Sequence, residues 1–330
     1  MGLALAFSLR LERRILTLRA LTAWRALRLA GGTAARSKLA RLPRGAIPVC
    51  AVIRDEASRL PRFFAHHRAF GADLFLIIDN GSVDGGRDWA LAQPDAVLWD
   101  ASGSYRAARF GMDWVNAVLG RHARGHWALT LDADELLVYP GHDTRPLRAL
   151  TDWLDSRGQR SLGAQMIDLH PPAGATRAEI DDALFDPGNT VVERDPRYAN
   201  LWIRGGPRLR SLFRDRPLFA PALNKIPLIR WQGGDAYVSS THAALPRGLN
   251  RTYARDRGER LSAAILHTKF IDDRPPAPAL QAEHYAGGRE FAAVRAAHAR
   301  GDSFAHPHSA RYQGWRQLED LGLMGRGLWA

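Results

Sequence analysis

The stretch Trp127-Ala128-Leu129-Thr130-Leu131-Asp132-Ala133-Asp134-Glu135 decides how the chain is read. Its first five residues are a short, largely apolar run, the length of a buried strand and too short for a core helix. Three carboxylates follow within four residues. Asp132 and Asp134, two apart on an extended segment, point the same way and offer oxygens to one ion. The pattern recurs upstream. A candidate strand over 47–53 is followed by Arg54-Asp55-Glu56, one over 74–78 by Asp79-Asn80-Gly81-Ser82-Val83-Asp84, and one over 96–99 by Asp100. Helical patterns over 58–70, 83–92 and 106–122 separate them. Strands spaced by helices of this length predict an α/β fold with a mostly parallel sheet, right-handed crossovers and ligands at the carboxyl ends of the strands. Four acidic clusters at successive strand ends repel one another, and a divalent cation or cationic ligand is the expected remedy. On the same argument, neutralising one carboxylate is expected to leave the metal-free fold no less stable.

With 330 residues, 46% hydrophobic and 24% charged, the chain is excluded from the disordered, collagen-like and coiled-coil classes. Cys50 is the only cysteine, which rules out an internal disulfide and any multi-cysteine metal site. Its apolar neighbours predict core packing. The net charge of +12 is uneven, because residues 1–47 hold nine Arg and Lys38 against Glu12 alone. A nearly neutral body argues against a nucleic-acid partner. Residues 3–30, rich in Leu, Ala and Arg and closed by Gly31-Gly32, predict a basic helix that rests on anionic lipid or packs on the body or a partner. Residues 31–44 read as a loose connector. No apolar run reaches the 18 residues of a membrane span, and the basic residues follow the first apolar run instead of preceding it as in a secretory signal. A cytoplasmic location is expected, with peripheral contact at the inner membrane face as a further expectation. Only Lys225 and Lys269 stand in the body beside dozens of arginines.

The second half carries Arg204-Gly205-Gly206-Pro207-Arg208, with Arg210 beyond it, and backbone amides with guanidinium forks suit a phosphate-cradling loop. A tight turn with solvated arginines reads equally well. His267 and Lys269, two apart on a strand, share a face, so that both can meet one ligand. Trp202, Trp231 and Tyr237 suit either stacking on a sugar ring or the core. For a carboxylate base, Asp235 after Gly233-Gly234 is the candidate, with Glu193 and Asp195 behind it.

Taken together, Val49-Cys50-Ala51-Val52-Ile53-Arg54-Asp55-Glu56, His66-His67 with Gly71, Asp79-Asn80-Gly81-Ser82-Val83-Asp84 and Asp132-Ala133-Asp134-Glu135 resemble the family 2-like glycosyltransferases, in particular the single-domain bacterial branch related to family 92. Asp55 stands where that family usually has Asn, and Val83 where it usually has Thr. The resemblance covers roughly residues 47–300. It implies a GT-A fold, Rossmann-like, that binds a nucleotide diphosphate sugar and Mn²⁺ or Mg²⁺ and transfers the sugar to a glycan or lipid-linked acceptor in surface-glycan biosynthesis. The implied layout is a basic helix and connector over 1–46, a catalytic domain over 47–300 with a nucleotide-sugar half (47–145) and a mixed acceptor half (146–300), and a tail over 301–330. Carried over by residue, Arg54 and Glu56 would frame the nucleotide, Asp79 and Asn80 would meet base or ribose, and Lys269 would meet the diphosphate, where Arg208 of the glycine-flanked loop could join it. Asp132 and Asp134 would lie at ribose and metal, with His267, or alternatively His242, as the late metal ligand. A nucleotidyltransferase on a similar sheet and a non-enzymatic basic protein binding lipid or nucleic acid are the competing classes. The first normally needs a glycine-rich phosphate loop after strand one, which Arg54-Asp55-Glu56-Ala57 does not offer.

Overall fold

The computed structural model describes residues 33–35, 42–188, 190–250, 252, 260–271 and 303–329, with single positions at 17, 296 and 300. The expected basic helix over 3–30 lies outside the described residues. Fifteen strands appear among those described: β1 Thr33–Ala35, β2 Pro48–Ile53, β3 Leu74–Asp79, β4 Ala96–Ala101, β5 Trp127–Thr130, β6 Glu135–Val138, β7 Ser161–Asp168, β8 Leu184–Phe185, β9 Val191–Asp195, β10 Asn200–Arg204, β11 Asn224–Arg230, β12 Ala236–Ser239, β13 Ala243–Leu245, β14 Ala263–His267 and β15 Ala310–Arg311. Nine of them form one sheet in the order β1-β4-β3-β2-β5-β11-β7-β14-β6.

The first half of that sheet matches the expected pattern: β4, β3, β2 and β5 run parallel, joined through helices Leu60–Ala69, Gly86–Leu91 and Met112–His122. Alternating side chains explain why these strands are buried on both faces. Val49, Ala51, Ile53, Phe75 and Ile77 pack below the sheet with Leu60, Phe63 and Phe64 of the first helix. Their neighbours Cys50, Leu76 and Ile78 pack above it with Trp114, Val115 and Val118 of the third. Burial pushes the Cys50 thiol up to about 12, so it is an inert packing group.

In the second half, β11 runs antiparallel between β5 and β7, while β14 pairs parallel with β7 and antiparallel with β6. Two expectations change here. Part of the supposed loose connector is β1, paired antiparallel with β4. Residues 301–330, read as a tail, supply Tyr312, Trp315, Leu318, Leu323, Met324 and Trp329 to the main core, and the Trp329 indole N–H donates to the Pro140 carbonyl at 2.7 Å. Burial of these apolar side chains against the core holds the segment to the domain.

Candidate active site

The loops after β2 and β3 are tied to each other before any ligand is considered. Ser82 Oγ accepts the Asp55 amide at 3.0 Å, Asp55 Oδ1 accepts the Val83 amide at 2.8 Å, and Asp84 Oδ2 accepts the Ala57 amide at 2.8 Å. Asp55 takes φ +56°, a left-handed conformation that Asp tolerates. The bond to Val83 uses that residue's backbone, so Val is accepted where the motif usually has Thr. Gly86 is needed for the same closeness, since a Cβ there would lie 3.0 Å from the Ala57 nitrogen. Asp79 accepts the Gly81 amide at 3.0 Å and that of Ser82 at 3.2 Å, forming the turn. Asn80 donates from Nδ2 to the carbonyls of Ala101 and Gly103, which holds the segment after β4. Asp100 does not join the others, because Arg87 holds it in a fork at 2.9 and 3.2 Å.

The acidic centre is therefore tighter than four strand ends. Asp132-Ala133-Asp134 is a turn instead of an extended segment, closed by the Glu135 amide donating to the Asp132 carbonyl at 3.0 Å. That turn brings carboxylate oxygens of Asp132, Asp134 and Glu135 within 4.8 Å of one another. Glu56 lies close enough for both aspartates to raise its pKa. Burial and those charges push Glu56 up to about 7, against the opposing Arg59 guanidinium at 2.6 Å.

The protein supplies cations of its own. Strand β11 supplies the first: Lys225, which faces Ala164 of β7 and is separated by a β-bulge from Leu228, the residue facing Leu129 of β5. Its ammonium lies 2.6 Å from Glu135 and 3.2 Å from Asp132. Burial pushes Glu135 up to about 7, with Lys225 opposing the rise. Lys225 stays protonated despite its burial, its pKa raised by the same two carboxylates. Glu135 Oε2 also accepts the Asp132 amide at 3.1 Å, so both of its oxygens are occupied. The second cation is His267 at the end of β14, with register partners Asp168 on β7 and Glu135 on β6. Its Nδ1–H donates to Asp168 at 2.6 Å, and Nε2 lies 3.6 Å from Asp134. Burial alone would lower this imidazole, but Asp134 and Asp168 push it up to about 9. Self-repulsion among carboxylates, expected from the sequence, is thus largely answered from within. Asp134 is held below the usual carboxylate range by His267, Arg59 and Lys269, which outweigh its burial.

Several expected roles change place. Arg208 lies on helix Gly206–Leu212, only 3% exposed, and its Nε donates to Asp168 at 2.7 Å. It is an internal partner of the Asp168–His267 pair. Arg204 and Arg210 are likewise taken up, by Glu193 and Asp186. Asp235, the candidate base, clamps a turn: it accepts from Arg160 and from the Gln232 amide at 2.7 Å, and the fold does not bring it to the acidic centre. Lys269 sits on the short 3₁₀ turn Thr268–Phe270, so the strand-face argument pairing it with His267 does not hold, although its charge still reaches Asp134. His242 donates from Nδ1 to the Asn224 carbonyl at 2.6 Å, and the charges of Lys225 and Asp132 both reach it. Of the two late histidines, His267 is the one beside Asp134. Asp168 was not singled out in the sequence, yet the run Leu162–Ile167 closed by Asp168 repeats the apolar-run-then-Asp pattern of β3 and β5.

No protein-family model matches the chain, and no curated protein matches it. Among solved structures, a mannosyltransferase from Pyrobaculum calidifontis in complex with GDP-Man and Mn²⁺ is 22% identical, with a TM-score of 0.27, over 48% of this chain and 46% of that one. A 4-diphosphocytidyl-2C-methyl-D-erythritol synthase is 18% identical, with a TM-score of 0.23, over 41% of this chain and 64% of that one. The chain thus spans less than two thirds of either structure. None of the described helices is long and apolar enough to cross a membrane.

Proposed function

We propose that this protein is a metal-dependent glycosyltransferase of the GT-A type, moving a sugar from a nucleotide diphosphate sugar to an acceptor hydroxyl of a glycan or lipid-linked acceptor. The observation that carries the reading is the meeting of Asp132, Asp134 and His267 from two separate strand ends, within electrostatic reach of Glu56. Two carboxylates and an imidazole suit Mn²⁺ or Mg²⁺. Asp132, whose side chain is 42% exposed, and Asp134 would hold the ion with His267 Nε2, while Glu135 is reserved for Lys225. Bound there, the ion would offset negative charge on the leaving nucleoside diphosphate. Asp168 and Arg208 fix the ring orientation and tautomer of His267, since the Nδ1–H donated to Asp168 leaves Nε2 for the ligand role. Lys269 contributes a further positive charge on the diphosphate side, and Arg54 with Asp79 and Asn80 frames the nucleotide.

The nucleotidyltransferase alternative is weakened by a specific feature: the amides of Asp55 and Ala57, which a phosphate loop after the first strand would need, already donate to Ser82 and Asp84. The deciding experiment is a thermal-shift panel of nucleoside diphosphates and nucleotide sugars, with and without Mn²⁺. A Mn²⁺-dependent rise in melting temperature with one nucleoside diphosphate is expected, through mass action. No rise with any of them would remove the reading.

His267 links metal binding to pH. Its folded pKa, about 9 without metal, lies above the ordinary 6.5. The stability it lends is complete below pH ~6.5 and is lost as pH rises through 9. Metal must displace that proton, so Mn²⁺ affinity should rise over the same window, with proton release seen by calorimetry in buffers of different ionisation enthalpy. Asp168→Asn should lower the His267 pKa, read by NMR, and weaken Mn²⁺ binding by about 10–100-fold. An unmoved His267 resonance would remove Asp168 from this role.

A further inference from the structure

A cavity of about 670 Å³, a size typical of ligand pockets at roughly 300–1,000 Å³, opens between the β9–β10 hairpin and His242. Its wall follows from the hairpin register. Glu193 faces Trp202, Asp195 faces Asn200 and Val191 faces Arg204, so Glu193, Asp195, Trp202 and Arg204 share one face of the ribbon. The Trp202 indole is fixed in place, its N–H donating to Asp195 at 3.1 Å. Arg197 grips the same carboxylate as a fork at 3.0 and 2.8 Å. Arg204 meets Glu193 at 3.2 Å. On the opposite side the His242 ring lies 6.1 Å from that of Trp202. With Nδ1 given to the Asn224 carbonyl, its Nε2 is the ring's hydrogen-bond acceptor. Asn224 directly precedes Lys225, so this wall adjoins the acidic centre.

We propose that this cavity binds a sugar ring of the acceptor, laid on the face of Trp202, with its hydroxyls read by the Asp195–Arg197 and Glu193–Arg204 pairs and by His242 Nε2. A pyranose has an apolar C–H face and an edge of neighbouring hydroxyls, each both donor and acceptor. An aromatic face carries the partial negative charge that polarised C–H groups meet favourably. The Asp195–Arg197 fork and the single Arg204–Glu193 contact each place donor and acceptor atoms side by side, the spacing that two adjacent hydroxyls match. The fixed indole keeps the ordering cost of binding low. The inference rests on the glycosyltransferase reading for the word acceptor, while the sugar site itself can be tested alone.

The test is saturation-transfer NMR on the full chain, with methyl α- and β-hexopyranosides as probes and the donor site filled by Mn²⁺ and the nucleoside diphosphate that binds best. Transfer to ring C–H protons is expected for the wild type. It should weaken at least about tenfold in Trp202→Ala and be partly kept in Trp202→Phe. Glu193→Gln, a substitution at an exposed side chain, should weaken it too and guards against a folding defect at Trp202. Nucleoside diphosphate affinity should stay the same in all three. Absence of transfer in the wild type, or equal transfer in Trp202→Ala, overturns the sugar site. Absence of nucleoside diphosphate binding in the wild type overturns the glycosyltransferase reading instead, and the glycoside signals still judge the cavity.

Discussion

Asp134→Asn is expected to lower sugar transfer from a nucleotide diphosphate sugar by about 10² or more, because the amide keeps the size of the side chain and removes the charge on which several kcal/mol of metal-assisted stabilisation depend. Its effect on the metal-free fold should run against the repulsion argument drawn from the sequence. Asp134 is held below the usual carboxylate range by His267, Arg59 and Lys269 in spite of its burial. A carboxylate depressed in this way stabilises the folded state at all pH values above its unfolded value near 4, and that contribution is lost as pH falls through its folded pKa. The variant should therefore be less stable at pH 7 by about 1.5–3 kcal/mol, the range for hydrogen bonds to charged groups, with the difference shrinking in acid. Activity against Mn²⁺ concentration and melting temperature against pH are the two measurements. Full metal-dependent activity in the variant would show that the turn is structural only.

Lys225→Met should produce the larger loss of stability. Lys225 is 2% and Glu135 1% exposed, and removing one partner of such a pair leaves an uncompensated buried charge, at a cost of about 3–5 kcal/mol. Glu135 would then take up a proton at neutral pH, since burial already pushes it up to about 7 with the lysine present. Lys225→Met combined with Glu135→Leu should recover most of the loss. The single variant should gain more stability from Mn²⁺ than the wild type does, because the field of Asp132 is no longer partly cancelled by the ammonium. Chemical denaturation with and without Mn²⁺ reads both effects. An unchanged midpoint without metal would mean that the pair contributes nothing to the fold.

How far the sequence reached is visible at individual residues. The strands before Asp79 and Asp132 and the helices between them were legible because each is a local pattern: an apolar run of strand length, a turn-forming Asp, a helical period. The acidic cluster of Asp132, Asp134 and Glu135 was legible for the same reason, since it spans four residues, although the turn that gathers it was not. The internal partners of Arg208 and Asp235 were not legible, because an arginine beside two glycines and an aspartate after two glycines look alike whether they face a ligand or an internal partner. Their partners, Asp168 and Arg160, lie 40 and 75 residues away along the chain.

The sequence alone determined the parallel α/β first half, the carboxyl-end position of its acidic turns, the lone cysteine as packing and the concentration of charge in the first 47 residues. Only the tertiary structure decided which charges meet. Lys225 reaches Asp132 and Glu135 because β11 lies between β5 and β7, and the β-bulge between Lys225 and Leu228 helps set the face its side chain takes. His267 meets Asp134 and Asp168 because β14 inserts between β6 and β7. Pairings between strands about a hundred residues apart depend on the packing of the whole sheet, and local periodicity carries no information about them.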